Sequence, residues 1–204
     1  PTRSRRADDG RAERAGRGAA VVTARRIGVL TSGGDAPGMN ACIRAVVRMA
    51  DHLGLEAVGI KRGFAGLVEG DLRQLDRRAV GGIVDRAGTV LGSARLPAFL
   101  DPATRRRARG VLAAHGIDAV VVIGGNGSQA GAAALAAEGA AVVGIASTID
   151  NDLAGSDTTI GFDSAVSVAI EAIDRLRATA ASHERVFLIE VMGRDSGHVA
   201  LHAA

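Results

Sequence analysis

Near the middle of the chain, Ile117-Asp118-Ala119-Val120-Val121-Val122-Ile123 is almost unbroken Val and Ile, with Gly116 before it and Gly124 behind it. A short β-branched run of this kind, bounded by glycines, is a strand whose two faces are both covered. Covering both faces takes helices on each side, so this run commits the chain to a layered α/β architecture. The surrounding pattern agrees. Apolar strand-length runs recur at Arg26–Thr31, Leu55–Ile60, Ala140–Ala146 and Val186–Val191. Between them lie helical periodicities. Met39 to about Leu53 puts Ile43, Val46, Val47 and Ala50 on one face, with Gly54 at its end. Pro102 opens a helix to about His115, which Gly116 ends. An Ala-rich helix runs to about Glu138, and Phe162 to about Thr179 aligns Val166, Ala169, Ile170, Ile173 and Leu176. A short helix is expected over Arg78–Arg86 and the start of another over 194–204; 61–77 reads as loop with short structure, carrying Gly63, Gly66 and Gly70, and 88–95 as a second glycine-bearing loop. Strands alternating with helices predict a doubly wound α/β sheet, mostly parallel, with helices on both faces.

Composition sharpens this reading. Aromatic residues are only 2% of the 204, with no Trp or Tyr, so the core must be aliphatic. Residues 1–26 hold eight of the 25 basic residues and three of the 22 acidic ones. The remainder is therefore slightly acidic, which argues against a nucleic-acid binder despite a net charge of +3. Residues 1–25 have almost no large apolar side chain before Val21 and are expected to form a disordered Arg/Ala/Gly-rich tail. Cys42 is the single cysteine. It excludes a disulfide within the chain, fits a cytoplasmic protein, and reads as a small buried residue on a helix. No apolar run approaches ~18 residues, so no membrane-spanning helix is expected, and the Arg-rich start lacks the apolar core of a secretory signal. The end at His202-Ala203-Ala204 has neither cap nor tail composition, and the chain is expected to stop short of a further domain.

The chemistry is expected just beyond the Ala140–Ala146 strand, at Ser147-Thr148-Ile149-Asp150-Asn151-Asp152. Ligands of open parallel sheets sit past the carboxyl ends of strands. Asp150 and Asp152 would flank such a pocket, Asp150 as proton acceptor and Asp152 near a metal. The alternative is a solvated helix-capping turn. Two glycine turns, Ser32-Gly33-Gly34 and Gly124-Gly125-Asn126-Gly127-Ser128, follow strands and open helices. Their backbone N–H groups and helix N-termini suit a phosphate. Neither carries Gly-Lys-Ser/Thr or G-x-G-x-x-G, so the cradle is of another design. Arg95, in Gly92-Ser93-Ala94-Arg95, is a candidate to neutralise a migrating phosphoryl group; the alternative is a surface arginine.

From Arg26 onward the sequence resembles the ATP-dependent 6-phosphofructokinase family. The resemblance rests on Ile27–Asn40 (IGVLTSGGDAPGMN), Gly92–Arg95, Gly124–Ser128, Thr148–Asp152, Thr159–Phe162, Glu171–Arg175 and Glu190–Arg194. It implies a Rossmann-like ATP-binding domain over 26–204. It also implies transfer of the γ-phosphate of ATP to the 1-hydroxyl of fructose 6-phosphate, with Mg²⁺. Asp150 would take the hydroxyl proton beside Thr148 and Ile149. Gly34, Phe64, Arg95, Leu96, Gly125, Asn126, Gly127 and Ser128 would hold ATP. Asn126 and Asp152 would serve the metal. Met192, Gly193 and Arg194 would touch the sugar phosphate, and Arg185 would reach it from a neighbouring subunit of a homotetramer. Arg44, Arg48, Arg77 and Arg177 would form an effector site for ADP or phosphoenolpyruvate. For Arg44 and Arg48 a solvated helix face at i, i+4 is the alternative.

Three departures stand out. Asn126 occupies a position where the family usually has Asp, keeping an oxygen ligand but losing its charge. Ser147 replaces the glycine usual in ATP enzymes and is not the lysine of pyrophosphate-dependent ones, whereas Gly127 favours ATP. The chain also ends before the residues with which the family completes its sugar-phosphate site. Two other readings therefore stand beside the first: a pyrophosphate-dependent relative, and a non-catalytic nucleotide-binding paralogue.

Overall fold

A computed structural model describes residues 24–204. Six strands form one sheet in the order β3-β2-β1-β4-β5-β6. The strands are β1 (Arg26–Ser32), β2 (Glu56–Ile60), β3 (Leu72–Leu75), β4 (Ala119–Gly124), β5 (Ala141–Thr148) and β6 (Ile160–Gly161). All neighbours pair in parallel except β2 and β3, which run antiparallel at one edge. The helices are α1 (Met39–His52), α2 (Gly63–Glu69), α3 (Pro102–Ala114), α4 (Asn126–Ala137), α5 (Phe162–Ser182) and α6 (His198–Ala203).

Successive residues of a strand face opposite sides of the sheet, and here each side has its own core. Val29 joins Met39, Ile43 and Val47 of α1 on one face. Leu30 joins Phe64 and Leu67 of α2, Ala108 and Leu112 of α3, and Leu135 of α4 on the other. These side chains are nearly all fully buried, each contributing about 1.5–3 kcal/mol for the larger ones. Helices thus cover both faces, as the Val and Ile run requires. Among the described residues no helix is long and apolar enough to cross a membrane.

Several expectations needed correction. Residues 78–86 form isolated turns, not a helix. Asp76 Oδ1 does accept the Ala79 N–H at 2.7 Å, but Gly81-Gly82 follows, Gly82 has φ +62, and the helix does not propagate. The short structure expected within 61–77 is there, as α2 and β3. Val186–Val191 does not form a strand: no neighbouring strand pairs with it among the described residues, and Val186 and Leu188 are fully exposed. The terminal helix starts only at His198, because Arg194 (φ +54) and Gly197 (φ +67) are left-handed. β5 runs two residues further than expected, through Thr148.

Of the expected tail, residues 1–23 lie outside the described residues, while Ala24 and Arg25 are part of the fold. Ala24 packs on the α1 core. The N–H groups of Arg25 and Arg26 donate to Asp118 Oδ2 at 2.7 and 2.9 Å, tying β1 to the start of β4. Those donors hold the Asp118 carboxyl below its usual range. A depressed folded pKa stabilises above the unfolded value of about 3.9, and the benefit is lost as pH falls through the folded value. Asp118→Ala should therefore lower the thermal midpoint at pH 7. The gap from wild type should narrow as the pH is taken below about 3.9; a gap independent of pH would contradict this account.

Candidate active site

The strand order reverses between β1 and β4, and an open α/β sheet splits into a crevice at such a point. Both glycine turns leave the sheet there. Ser32 pairs with Gly124 as the last rung of the β1–β4 ladder. Beyond that rung the two loops diverge around a cleft of about 350 Å³. They are also locked together. Ser128 Oγ donates to Ser32 O at 2.8 Å, while Ser93 Oγ, from the 92–95 loop, fastens Gly33 O at 2.7 Å. A Cβ on Gly124 would stand 2.5 Å from Ser32 O, so only glycine permits this approach.

The floor of the cleft consists of Gly33 and Gly34 after β1, and of Gly125, Asn126, Gly127 and Ser128 at the start of α4. The N-cap of α4 is Gly125, with no side-chain hydrogen bond to the first turn. An uncapped helix start of this kind offers free N–H donors and a positive dipole end to an anion.

One wall is apolar: Phe64, Leu96, Pro97, Phe99 and Leu100 line it. Phe64 and Phe99 stack with ring centroids 3.9 Å apart. Arg105 holds that wall from behind. Its Nη1 donates to Leu100 O at 2.6 Å and Phe99 O at 3.2 Å, and its Nε donates to Glu138 at 2.7 Å. Burial leaves the other carboxylate oxygen of Glu138 without a partner.

The opposite wall carries the acids. Thr148, Ile149, Asp150 and Asp152 line it, with Met192 and Arg194 beside them. The turn is held by Asn151, not by the acids. Asn151 Oδ1 accepts from Thr159 N at 2.8 Å, and Asn151 Nδ2 donates to Asp157 O at 3.3 Å. Thr159 Oγ1 donates to Thr148 O at 2.6 Å, while Thr148 Oγ1 accepts the Asp150 N–H at 3.1 Å. Asp150 and Asp152 line the cleft, and neither caps a helix: the next helix, α5, has Gly161 at its N-cap.

The structure thus brings together Gly34, Phe64, Arg95, Leu96, Gly125, Asn126, Gly127, Ser128, Thr148, Ile149, Asp150, Asp152, Met192 and Arg194 in one cleft. Gly193 is buried in the turn between Met192 and Arg194. Arg185 lies outside the cleft, exposed just past the end of α5. The four other arginines also lie elsewhere. Arg44 donates to Val80 O at 2.7 Å, and Arg77 pairs with Asp51 at 3.1 Å, so both fasten α1 to the 76–80 turn. Arg48 is exposed on α1, and Arg177 pairs with Asp174 on α5 at 3.4 Å. Sequence reasoning missed Asp35, Pro97, Phe99, Leu100 and Gly131 as lining residues. Asp35 lies within the Ile27–Asn40 segment but had no role there, and no pattern in the sequence singled out Phe99.

Oxygen donors dominate the acidic wall, which suits a hard cation such as Mg²⁺. Among the described residues no three His, Cys, Asp or Glu side chains form a metal cage by themselves. Asn126 Nδ2 donates to Asp152 O at 3.4 Å, which leaves Asn126 Oδ1 as the acceptor. Cys42 lies on α1 outside the cleft; burial pushes its thiol up to about 11, so it is no nucleophile at neutral pH.

The phosphofructokinase family pattern matches residues 26–204, which include every strand of the sheet and every wall of the cleft. The chain belongs to the phosphofructokinase family. It is 58% identical over 178 residues to an ATP-dependent 6-phosphofructokinase 1 of Thermus thermophilus, covering 87% of this chain and 55% of the relative. With an ATP-dependent 6-phosphofructokinase of Clostridium botulinum the identity is 54% over 179 residues, 88% of this chain and 56% of the relative. The crystal structure of Pichia pastoris phosphofructokinase in the T-state matches with a TM-score of 0.84 at 40% identity, over 88% of this chain and 21% of that one. The chain spans about half the length of the curated relatives it matches. The doubly wound, mostly parallel sheet is the phosphofructokinase fold.

The apolar wall depends on Gly131, where a Cβ would stand 2.8 Å from the Phe64 ring and 3.1 Å from the Phe99 ring. Gly131→Ala should cost about 1–3 kcal/mol in denaturant unfolding through overpacking. Wild-type stability would mean that the wall is loosely packed.

Proposed function

We propose that the protein transfers the γ-phosphate of ATP to the 1-hydroxyl of fructose 6-phosphate, giving fructose 1,6-bisphosphate and ADP. The observation that carries this reading is that Asp150 lines the same cleft as Gly34 and the Gly125–Ser128 turn. The names of the curated relatives support it. The adenine packs on the Phe64, Leu96 and Phe99 wall, and the triphosphate runs over the glycine turns toward the acids. Asp150 accepts the proton of the attacking hydroxyl, and Thr148 holds the sugar beside it. Arg95 neutralises charge on the moving phosphoryl group. Met192, Gly193 and Arg194 take the sugar phosphate. Asn126 and Asp152 would hold Mg²⁺, which when bound would supply charge neutralisation at the phosphates.

A pyrophosphate donor fits less well, since pyrophosphate has no use for the apolar wall. By the same reading the enzyme is a cytoplasmic homotetramer in which Arg185 serves a neighbour's site. Arg44, Arg48, Arg77 and Arg177 then form an effector site for ADP or phosphoenolpyruvate; Arg44 and Arg77 would have to leave Val80 and Asp51 to take part.

Asp150→Asn should lower kcat on the order of 10²-fold or more, measured as fructose 1,6-bisphosphate formed from MgATP and fructose 6-phosphate. A nearly unchanged kcat would remove Asp150 from the role of base, and equal turnover with pyrophosphate would reverse the choice of donor. Restoring a charged ligand with Asn126→Asp should lower the Mg²⁺ concentration needed for half-maximal rate. An unchanged requirement would show that the metal is held without residue 126.

A further inference from the structure

The turn between Val191 and α6 packs against the back of Asp150. Ser196 Oγ lies 2.8 Å from Asp150 O and 2.9 Å from Gly193 O. Both are carbonyls and can only accept, so the hydroxyl is the donor to Asp150, to Gly193 or to both in turn. His198 Nδ1 lies 3.1 Å from the same Asp150 oxygen. That ring nitrogen must therefore carry hydrogen, and it donates whether the imidazole is neutral or charged. Phe162 meets the His198 ring edge-on at 6.5 Å and helps to set its plane.

The turn itself is costly. Gly193 (φ +142), Arg194 (φ +54) and Gly197 (φ +67) are all left-handed, and Arg194 has a side chain to accommodate there. Strain of this kind persists only where the surroundings over-determine it, and here two side-chain donors converge on one carbonyl. The residues they place matter. Met192 and Arg194 line the cleft from one side of the tie, Asp150 from the other. None of the contacts uses the Asp150 carboxylate, which stays free for the cleft.

We propose that Ser196 and His198 are positioning residues: their hydrogen bonds to the Asp150 carbonyl fix the separation between the base and the segment that carries Met192 and Arg194. The proposal rests on the reading of Asp150 as the base. It adds two residues that act through the backbone of that residue.

The test uses the 204-residue chain. Nitrogen-15 NMR of the imidazole should find the neutral His198 ring protonated at Nδ1; protonation at Nε2 would overturn the tie. His198→Phe keeps an aromatic ring against Phe162 and removes the donor. It should speed amide hydrogen exchange about tenfold at Asp150 and Asn151 as well as at Ser196 and Val199. His198→Asn places a side-chain N–H where Nδ1 was and should return the rates to within about twofold of wild type. Faster exchange confined to 193–199, with Asp150 and Asn151 unaffected, would make the contact merely local to the turn and would overturn the positioning role. Ser196→Ala gives the same reading should His198→Phe not fold. Asp150→Asn removes the carboxylate but keeps the carbonyl, so tautomer and exchange should stay as in wild type. Loss of turnover in that variant then reports on the base, and the exchange pattern reports on the tie.

Discussion

The rung that pairs Ser32 with Gly124 organises the molecule. Parallel pairing brings β1 and β4 side by side, and their chains part at that point because the following helices go to opposite faces of the sheet. Ser128 closes the gap by donating to the Ser32 carbonyl. The cleft is the space that remains. Glycines at 33, 34, 125 and 127 leave backbone bare along most of its floor. A floor of this kind offers N–H groups at short range without the conformational freedom of long polar side chains, and so it is preorganised for a polyanion.

The two walls are built by different physics. The apolar wall hangs on a buried cation: Arg105 gathers the Phe99 and Leu100 carbonyls and Glu138, and so fixes the turn that places Phe99 on Phe64. The acidic wall hangs on neutral side chains. Asn151 and Thr159 absorb the backbone demand of the turn after β5, so that Asp150 and Asp152 need not. A carboxylate that is not spent on holding its own loop remains available for chemistry.

Much of this could be read from the sequence because it is local. The run ending in Ile123 could only be a doubly covered strand, and glycines directly behind two strands marked where backbone must approach a ligand or another loop. Asp150 stood out because it followed a strand end. What could not be read is set by distant partners. Val186–Val191 has strand composition, but a strand exists only with a neighbour to pair with, and none of the described strands lies alongside. Residues 78–86 have an Asp76 cap and apolar spacing, yet Gly81-Gly82 halts the helix after one turn. Nothing in the local sequence marks Phe99 and Leu100. Their place on the cleft wall depends on Arg105, whose carbonyl partners no local pattern announces. Arg44 and Arg77, grouped by family resemblance, are engaged with Val80 and Asp51, contacts that sequence spacing does not reveal.

The account's central claim is that one cleft holds both the phosphate cradle and the base. A crystal structure of the chain with Mg²⁺ and a non-hydrolysable ATP analogue tests it most directly. The account predicts phosphates lying over Gly34 and Gly125–Ser128, with the terminal phosphorus on the side of the cleft that Asp150 lines. Phosphates seated instead among Arg44, Arg48 and Arg77, with the glycine turns bare, would contradict it.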